Sequence, residues 1–113
     1  VKPQFVSHDP AVVAAYRADP LVHDRISGRL ARFIAETGPR TLAMAARWTV
    51  PTLLMYAGDD RLINPAGSAR FAAAAPAAVV TAKCFDALYH EIFNELDAEA
   101  VFAQLQRWLD ARF

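Results

Sequence analysis

Pro51-Thr52-Leu53-Leu54-Met55-Tyr56-Ala57-Gly58 is a largely continuous apolar run closed by glycine. A strand with one wet face alternates apolar and polar residues, and this run does not. Strands covered on both faces of a parallel sheet read this way. A second run, Val79 to Phe85, contains Val, Val, Thr and Phe and reads as another strand. Between the two, Asn64-Pro65 is a capping residue followed by proline, a start at which the missing N–H costs nothing. The helix it opens is expected to run from Pro65 through Phe71 and the alanines to Pro76, with Asn64 as its side-chain cap. Asp97 is expected to cap a last helix, with Val101, Phe102, Leu105, Trp108 and Leu109 on one face. Strand, helix, strand, helix with buried strands implies a right-handed parallel crossover, so the fold class is α/β.

Upstream the texture is helical, over residues 5–48. Asp9-Pro10 is a second cap-plus-proline start, and Val12, Val13 and Tyr16 mark a short helix ending near Asp19-Pro20. Ile26, Leu30, Phe33, Ile34 and Thr37 recur at helical spacing, and Gly38-Pro39 is expected to stop that helix. A third piece, Thr41 to Trp48, rests on Leu42, Ala45, Ala46 and Trp48. The organisation expected is a helical segment over residues 1–49 and two parallel strand–helix units over residues 50–113. Two strands are few, since sheets usually carry about four to six. The reading is therefore the C-terminal part of a larger sheet domain.

The chain has 113 residues, 12 basic and 12 acidic, and a formal net charge of zero. A neutral chain with scattered arginines has no general pull on nucleic acid, so no nucleic-acid partner is expected. One cysteine makes no internal disulfide and no thiolate metal site, which points to a reducing, cytoplasmic location. Cys84 itself falls inside a strand, where a thiol is usually a small hydrophobe. No secretory leader and no transmembrane segment is expected, because Pro, Arg or Asp breaks each apolar stretch. No cofactor is expected, since no His/Asp/Glu cluster has metal-ligand spacing and no glycine-rich loop could cradle a phosphate. The hydrophobic fraction of 55% exceeds the usual value of about 45–50%, which suggests an apolar face that something else covers.

Chemistry is expected where the strands end, because ligands of open parallel sheets sit at the carboxyl ends. The loop Gly58-Asp59-Asp60-Arg61-Leu62-Ile63-Asn64-Pro65 follows the first strand. The loop Asp86-Ala87-Leu88-Tyr89-His90-Glu91-Ile92-Phe93-Asn94-Glu95 follows the second. A carboxylate from one and an imidazole from the other could meet. That pair activates a nucleophile: a neutral His takes the proton of a serine while an Asp holds its Nδ1–H. Asp59 and Asp60 are both candidates for the acid, and His90 for the base.

In this order, Gly-x-Asp-Asp-Arg-Leu-Ile-Asn-Pro and then Tyr-His-Glu-Ile-Phe-Asn-Glu resemble the end of an α/β-hydrolase. The likeness is to the monoacylglycerol lipase and lysophospholipase branch, also labelled serine aminopeptidase-like. Ser7-His8-Asp9-Pro10 through Ala18-Asp19-Pro20-Leu21-Val22-His23 resembles the start of that branch's helical lid. The resemblance implies that Asp60, before Arg61-Leu62, is the triad acid and His90 the triad base. It implies a lid over residues 1–49, a lipid-like or small carboxylic ester as substrate, and an acyl-enzyme route. Asp59 is then expected to support the turn, Glu91 to be structural, and His8 and His23 to be packing or surface residues. The apolar lid faces are expected to be core, or to line an acyl-chain tunnel.

The departure is the nucleophile. The family carries Gly-x-Ser-x-Gly and an oxyanion loop before the lid, whereas Ser7, Ser27 and Ser68 do not sit between glycines. The Val at position 1 is expected to reflect truncation or processing. The 113 residues alone are expected to be inactive and, with sheet edges open, to self-associate or to pair with the half carrying the serine. Two other readings stay open: a non-catalytic fragment or interaction module, and the same fold used as an amidase, peptidase or acyltransferase.

Overall fold

The computed structural model describes residues 1–113. Helix α1 spans Pro10–Ala18 and α2 spans Gly28–Met44; strand β1 spans Thr52–Ala57, α3 Ala66–Ala74, β2 Val80–Phe85 and α4 Ala98–Asp110. Single 3₁₀ turns lie at Pro3–Phe5, Ala45–Arg47 and Ile92–Asn94. The two strands pair in parallel with Thr52 opposite Val80 and Ala57 opposite Phe85, so both end at the same edge of the molecule. They are the whole sheet, and each has one unpaired edge.

Side chains alternate along a strand, and two small cores follow from that alternation. On one face Leu54 and Val80 pack with Ala45, Ala75, Trp48 and Phe71, between the 3₁₀ turn after α2 and helix α3. On the other, Met55, Ala57 and Phe85 pack with Ile92, Leu88 and Val101 of α4. The sequence-based expectation of strands buried on both faces is only partly met. Thr52 to Tyr56 are half-buried, and Ala82 and Lys83 are exposed.

Three local expectations are corrected. Gly38-Pro39 does not stop the second helix: Pro39 lies inside α2, and the expected separate piece from Thr41 to Trp48 is the end of that helix plus a 3₁₀ turn. Proline removes the bond to the carbonyl of Ala35, but that carbonyl lies on a helix with no buried residues, where water can serve it. Asp97 makes no side-chain cap on α4; the Ala98 N–H bonds instead to the Glu95 carbonyl at 3.2 Å. Helix α3 opens one residue later than expected, at Ala66, with Pro65 rather than Asn64 at its N-cap and no side-chain cap; the Asn64 Oδ1 still accepts from the Ala66 N–H at 3.0 Å. Asp9 caps α1 through the Ala11 N–H, and Ser27 caps α2 through the Leu30 N–H.

Candidate active site

The loops after β1 and β2 leave the sheet side by side. The Gly58 N–H donates to the Phe85 carbonyl at 2.9 Å. A Cβ at position 58 would lie 2.6 Å from the Asp86 Cα, so the first loop turns away where only glycine fits against the second. Asp60 follows two residues later. Its Oδ1 accepts from the Leu62 N–H at 2.8 Å and the Ile63 N–H at 2.9 Å, closing its own loop. Its Oδ2 lies 2.8 Å from Nδ1 of His90, across thirty residues of sequence.

The Asp60 side chain is 12% exposed and that of His90 33%. Burial pushes the Asp60 carboxyl up, but His90 and the Ile63 and Leu62 N–H groups outweigh it, and the net value falls below the ordinary carboxylate range. Asp60 is therefore ionised and an acceptor. His90 Nδ1 must carry the proton and donate it, which leaves the lone pair on Nε2 free to act as a base.

Asp59 does not reach His90. It takes a bidentate pair from Arg61, Nε to Oδ1 at 3.2 Å and Nη2 to Oδ2 at 3.0 Å. The turn that Asp59 was expected to support is held by Asp60. The Arg61 guanidinium also sits 5.1 Å from the Tyr89 ring centroid and 5.3 Å from that of Phe5, so the acid loop leans on the residue preceding His90. Glu91 accepts from Asn94 Nδ2 at 2.7 Å, a local structural contact. His23 is exposed.

Sequence reading missed a second carboxylate, Glu95. It is almost fully buried and accepts from the Tyr89 N–H at 2.6 Å and the His8 N–H at 3.1 Å, with His8 Nδ1 at 3.0 Å. His8, expected at the surface or in packing, stacks on Tyr89 with ring centroids 3.6 Å apart. Ser7 is buried, its hydroxyl donating to the Asn94 carbonyl at 2.8 Å and accepting from the Asp9 N–H at 2.9 Å, so it is a strut and not a nucleophile. A glutamate inside Ile92-Phe93-Asn94-Glu95-Leu96, a stretch with three apolar residues, was the available signal. Cys84 lies half-buried in β2, and burial pushes its thiol up, away from thiolate reactivity. No group of three or more His, Cys, Asp or Glu side chains could hold a metal ion, and no helix is long and apolar enough to cross a membrane. A cleft of about 690 Å³ opens between α2, β1 and α3, lined by Leu42, Leu54, Ile63 and Phe71, but neither Asp60 nor His90 borders it.

Two parallel strands with their helices match part of an α/β-hydrolase core, and comparison with known proteins shows the family. The family described as serine aminopeptidase, S33, matches residues 1–97. The chain belongs to this hydrolase family. It is 38% identical to the monoacylglycerol lipase of Mycolicibacterium smegmatis, over 92% of this chain and 38% of that protein. It is 32% identical to an uncharacterized abhydrolase domain-containing protein of Dictyostelium discoideum, over 99% of this chain and 12% of the relative. The crystal structure of Paleococcus ferrophilus monoacylglycerol lipase superposes with a TM-score of 0.89 at 34% identity, covering 96% of this chain and 43% of that one. The chain thus spans less than half the length of these relatives, and its fold corresponds to the C-terminal part of the monoacylglycerol lipase structure.

Proposed function

We propose that this chain is the acid-and-base section of a serine hydrolase that cleaves carboxylic esters with lipid-like acyl groups. The single observation that carries the reading is the Asp60 Oδ2–His90 Nδ1 contact of 2.8 Å at the carboxyl ends of two parallel strands. Asp60 fixes the tautomer of His90 and stabilises the imidazolium. His90 Nε2 takes the proton of a serine hydroxyl supplied by residues outside these 113. The serine oxygen then attacks the ester carbonyl, and the leaving alcohol takes the proton back from Nε2. Water, deprotonated by the same nitrogen, clears the acyl-enzyme. The monoacylglycerol lipases among the relatives support a glycerol ester with one acyl chain as the substrate class. Residues 1–49, with α1 and α2, serve as the lid, whose exposed Leu30, Phe33 and Ile34 suit an acyl chain or the covering half of the domain.

The test uses a fluorophosphonate, which labels activated serines, and a short-chain chromogenic ester. The 113-residue chain alone stays unlabelled and gives only the trace rate of a free imidazole. The complete gene product is labelled on a serine outside this segment. In it, Asp60→Asn keeps the fold and lowers kcat by up to about 10⁴, because an amide opposite Nδ1 favours the wrong tautomer. Labelling of Ser7, Ser27 or Ser68 that vanishes in His90→Ala overturns the assignment of the nucleophile.

A further inference from the structure

His90 stands in a loop with no strand or helix to hold it: residues 86–91 form one turn, a bend at His90 and otherwise irregular backbone, followed by a single 3₁₀ turn. Its backbone must be located some other way, because catalytic geometry tolerates little error. A misplacement of about 1 Å can cost on the order of 10²-fold in rate. The two N–H groups that flank His90 in sequence are both anchored. That of Tyr89 donates to Glu95 Oε1 at 2.6 Å, and that of Glu91 donates to the Val6 carbonyl at 2.9 Å. The second anchor leads back to the same carboxylate, because Glu95 Oε2 takes the His8 N–H at 3.1 Å and Oε1 faces His8 Nδ1 at 3.0 Å. Segment 6–8 is therefore a strap fastened to Glu95, with the Ser7 hydroxyl on the Asn94 carbonyl as an additional tie.

We propose that Glu95 is a positioning residue for His90, locating the base through the Tyr89 amide on one side and the residue 6–8 strap on the other. The proposal rests on the reading that His90 is the base. It accounts for a charged side chain only 1% exposed, a placement that is costly unless its lone pairs find donors. Burial pushes the Glu95 carboxyl up, yet the Tyr89 and His8 donors outweigh it, and the net value lies below the ordinary range. The carboxylate stays ionised and keeps both anchors. Glutamine at this position offers one acceptor oxygen and turns an NH₂ toward N–H groups, so at least one anchor is lost while the volume is kept.

The test is made on the complete gene product with Glu95→Gln and Glu95→Asp. Two readouts are taken together: the proton resonance of His90 Nδ1–H, which a short bond to a carboxylate moves far downfield, and kcat and KM for a short-chain ester. Glu95→Gln is expected to fold with an unchanged circular dichroism spectrum, to broaden or lose the Nδ1–H resonance, and to lower kcat roughly 10–100-fold at unchanged KM. Glu95→Asp recovers part of both. A folded Glu95→Gln with resonance and kcat intact overturns the proposal, as does a rise in KM with the resonance intact. If Glu95→Gln does not fold, Glu95→Asp decides, since it keeps the charge but shortens the reach to the Tyr89 and His8 N–H groups. It must weaken the resonance and kcat in the same direction, and wild-type values for both overturn the proposal. A wild type that hydrolyses no ester while its resonance responds to Glu95→Gln sinks the reaction assigned above and leaves the positioning role standing.

Discussion

Asp60 divides its two oxygens between two tasks, and this division explains why it and not Asp59 meets the imidazole. Oδ1 closes the turn over Leu62 and Ile63, which aims Oδ2 at His90. Asp59, on the exposed side of the same loop, is neutralised by Arg61. Asp60 and Glu95 both have carboxyls held below their ordinary values, so the unfolded chain binds more protons than the native one in the acid range. Their contribution is fully present above the unfolded carboxyl values and is lost as pH falls through the depressed native ones. We expect the urea midpoint of the wild type to fall as pH drops from about 5 toward 2, and that of the Asp60→Asn, Glu95→Gln double variant to fall less. Equal pH slopes would show that these carboxylates are not linked to folding. The candidacy of Asp60 and His90 was readable from two loops after two strands. The role of Glu95 was not, because a buried carboxylate is recognised by its donors, and those come from residues 8 and 89.

At the scale of elements, the site depends on how closely the ends of β1 and β2 approach. Gly58 makes that approach possible with an ordinary backbone conformation; no glycine here has positive φ, so what matters is space. Gly58→Ala should force the two loops apart and cost about 1–3 kcal/mol as an overpacking strain. A urea denaturation series measures the loss, and a shift of the His90 ring resonances in the folded variant reports the separation of the loops. An unchanged midpoint would mean that the loop after β2 yields freely. The helix α2 shows the limit of local rules. Gly38-Pro39 reads as a stop, but propensity is a weak prior that tertiary context overrides, and here α2 continues to Met44 and delivers Ala45 into the core beside Val80.

For the whole molecule the surface is too large for its mass. A compact monomer of this size exposes about 6,100 Å², whereas this chain exposes 8011 Å². Its radius of gyration is 15.6 Å, against about 13 Å for a compact chain of this length. The excess, about 1,900 Å² on one chain, is more than twice the roughly 800 Å² that each partner buries in a standard stable interface. Only nine residues are buried, while Phe33, Ile34, Leu96 and Phe102 stand more than half exposed. At about 25 cal/mol per Å², each few hundred Å² of apolar surface left in water forfeits several kcal/mol, comparable to the stability of a small domain. We therefore expect the isolated 113-residue chain to self-associate or to bind apolar dyes, as light scattering and dye fluorescence at tens of micromolar would show. A monodisperse monomer with no dye-binding surface would contradict this.

The order of elements, the parallel pairing, the Asp9 cap, the Asn64 bond to the Ala66 N–H and the two chemistry-bearing loops were all written locally. They depend on apolar runs, prolines and capping residues within a few positions of one another. The boundary of α2, the failure of Asp97 to cap, the exposed face of β2 and the cradle around His90 were decided only by the folded chain. Each depends on partners brought together across tens of residues. A hydrogen bond between residues 8 and 95, or a Cβ denied space at 58 by the backbone at 86, leaves no periodicity in the sequence to be read.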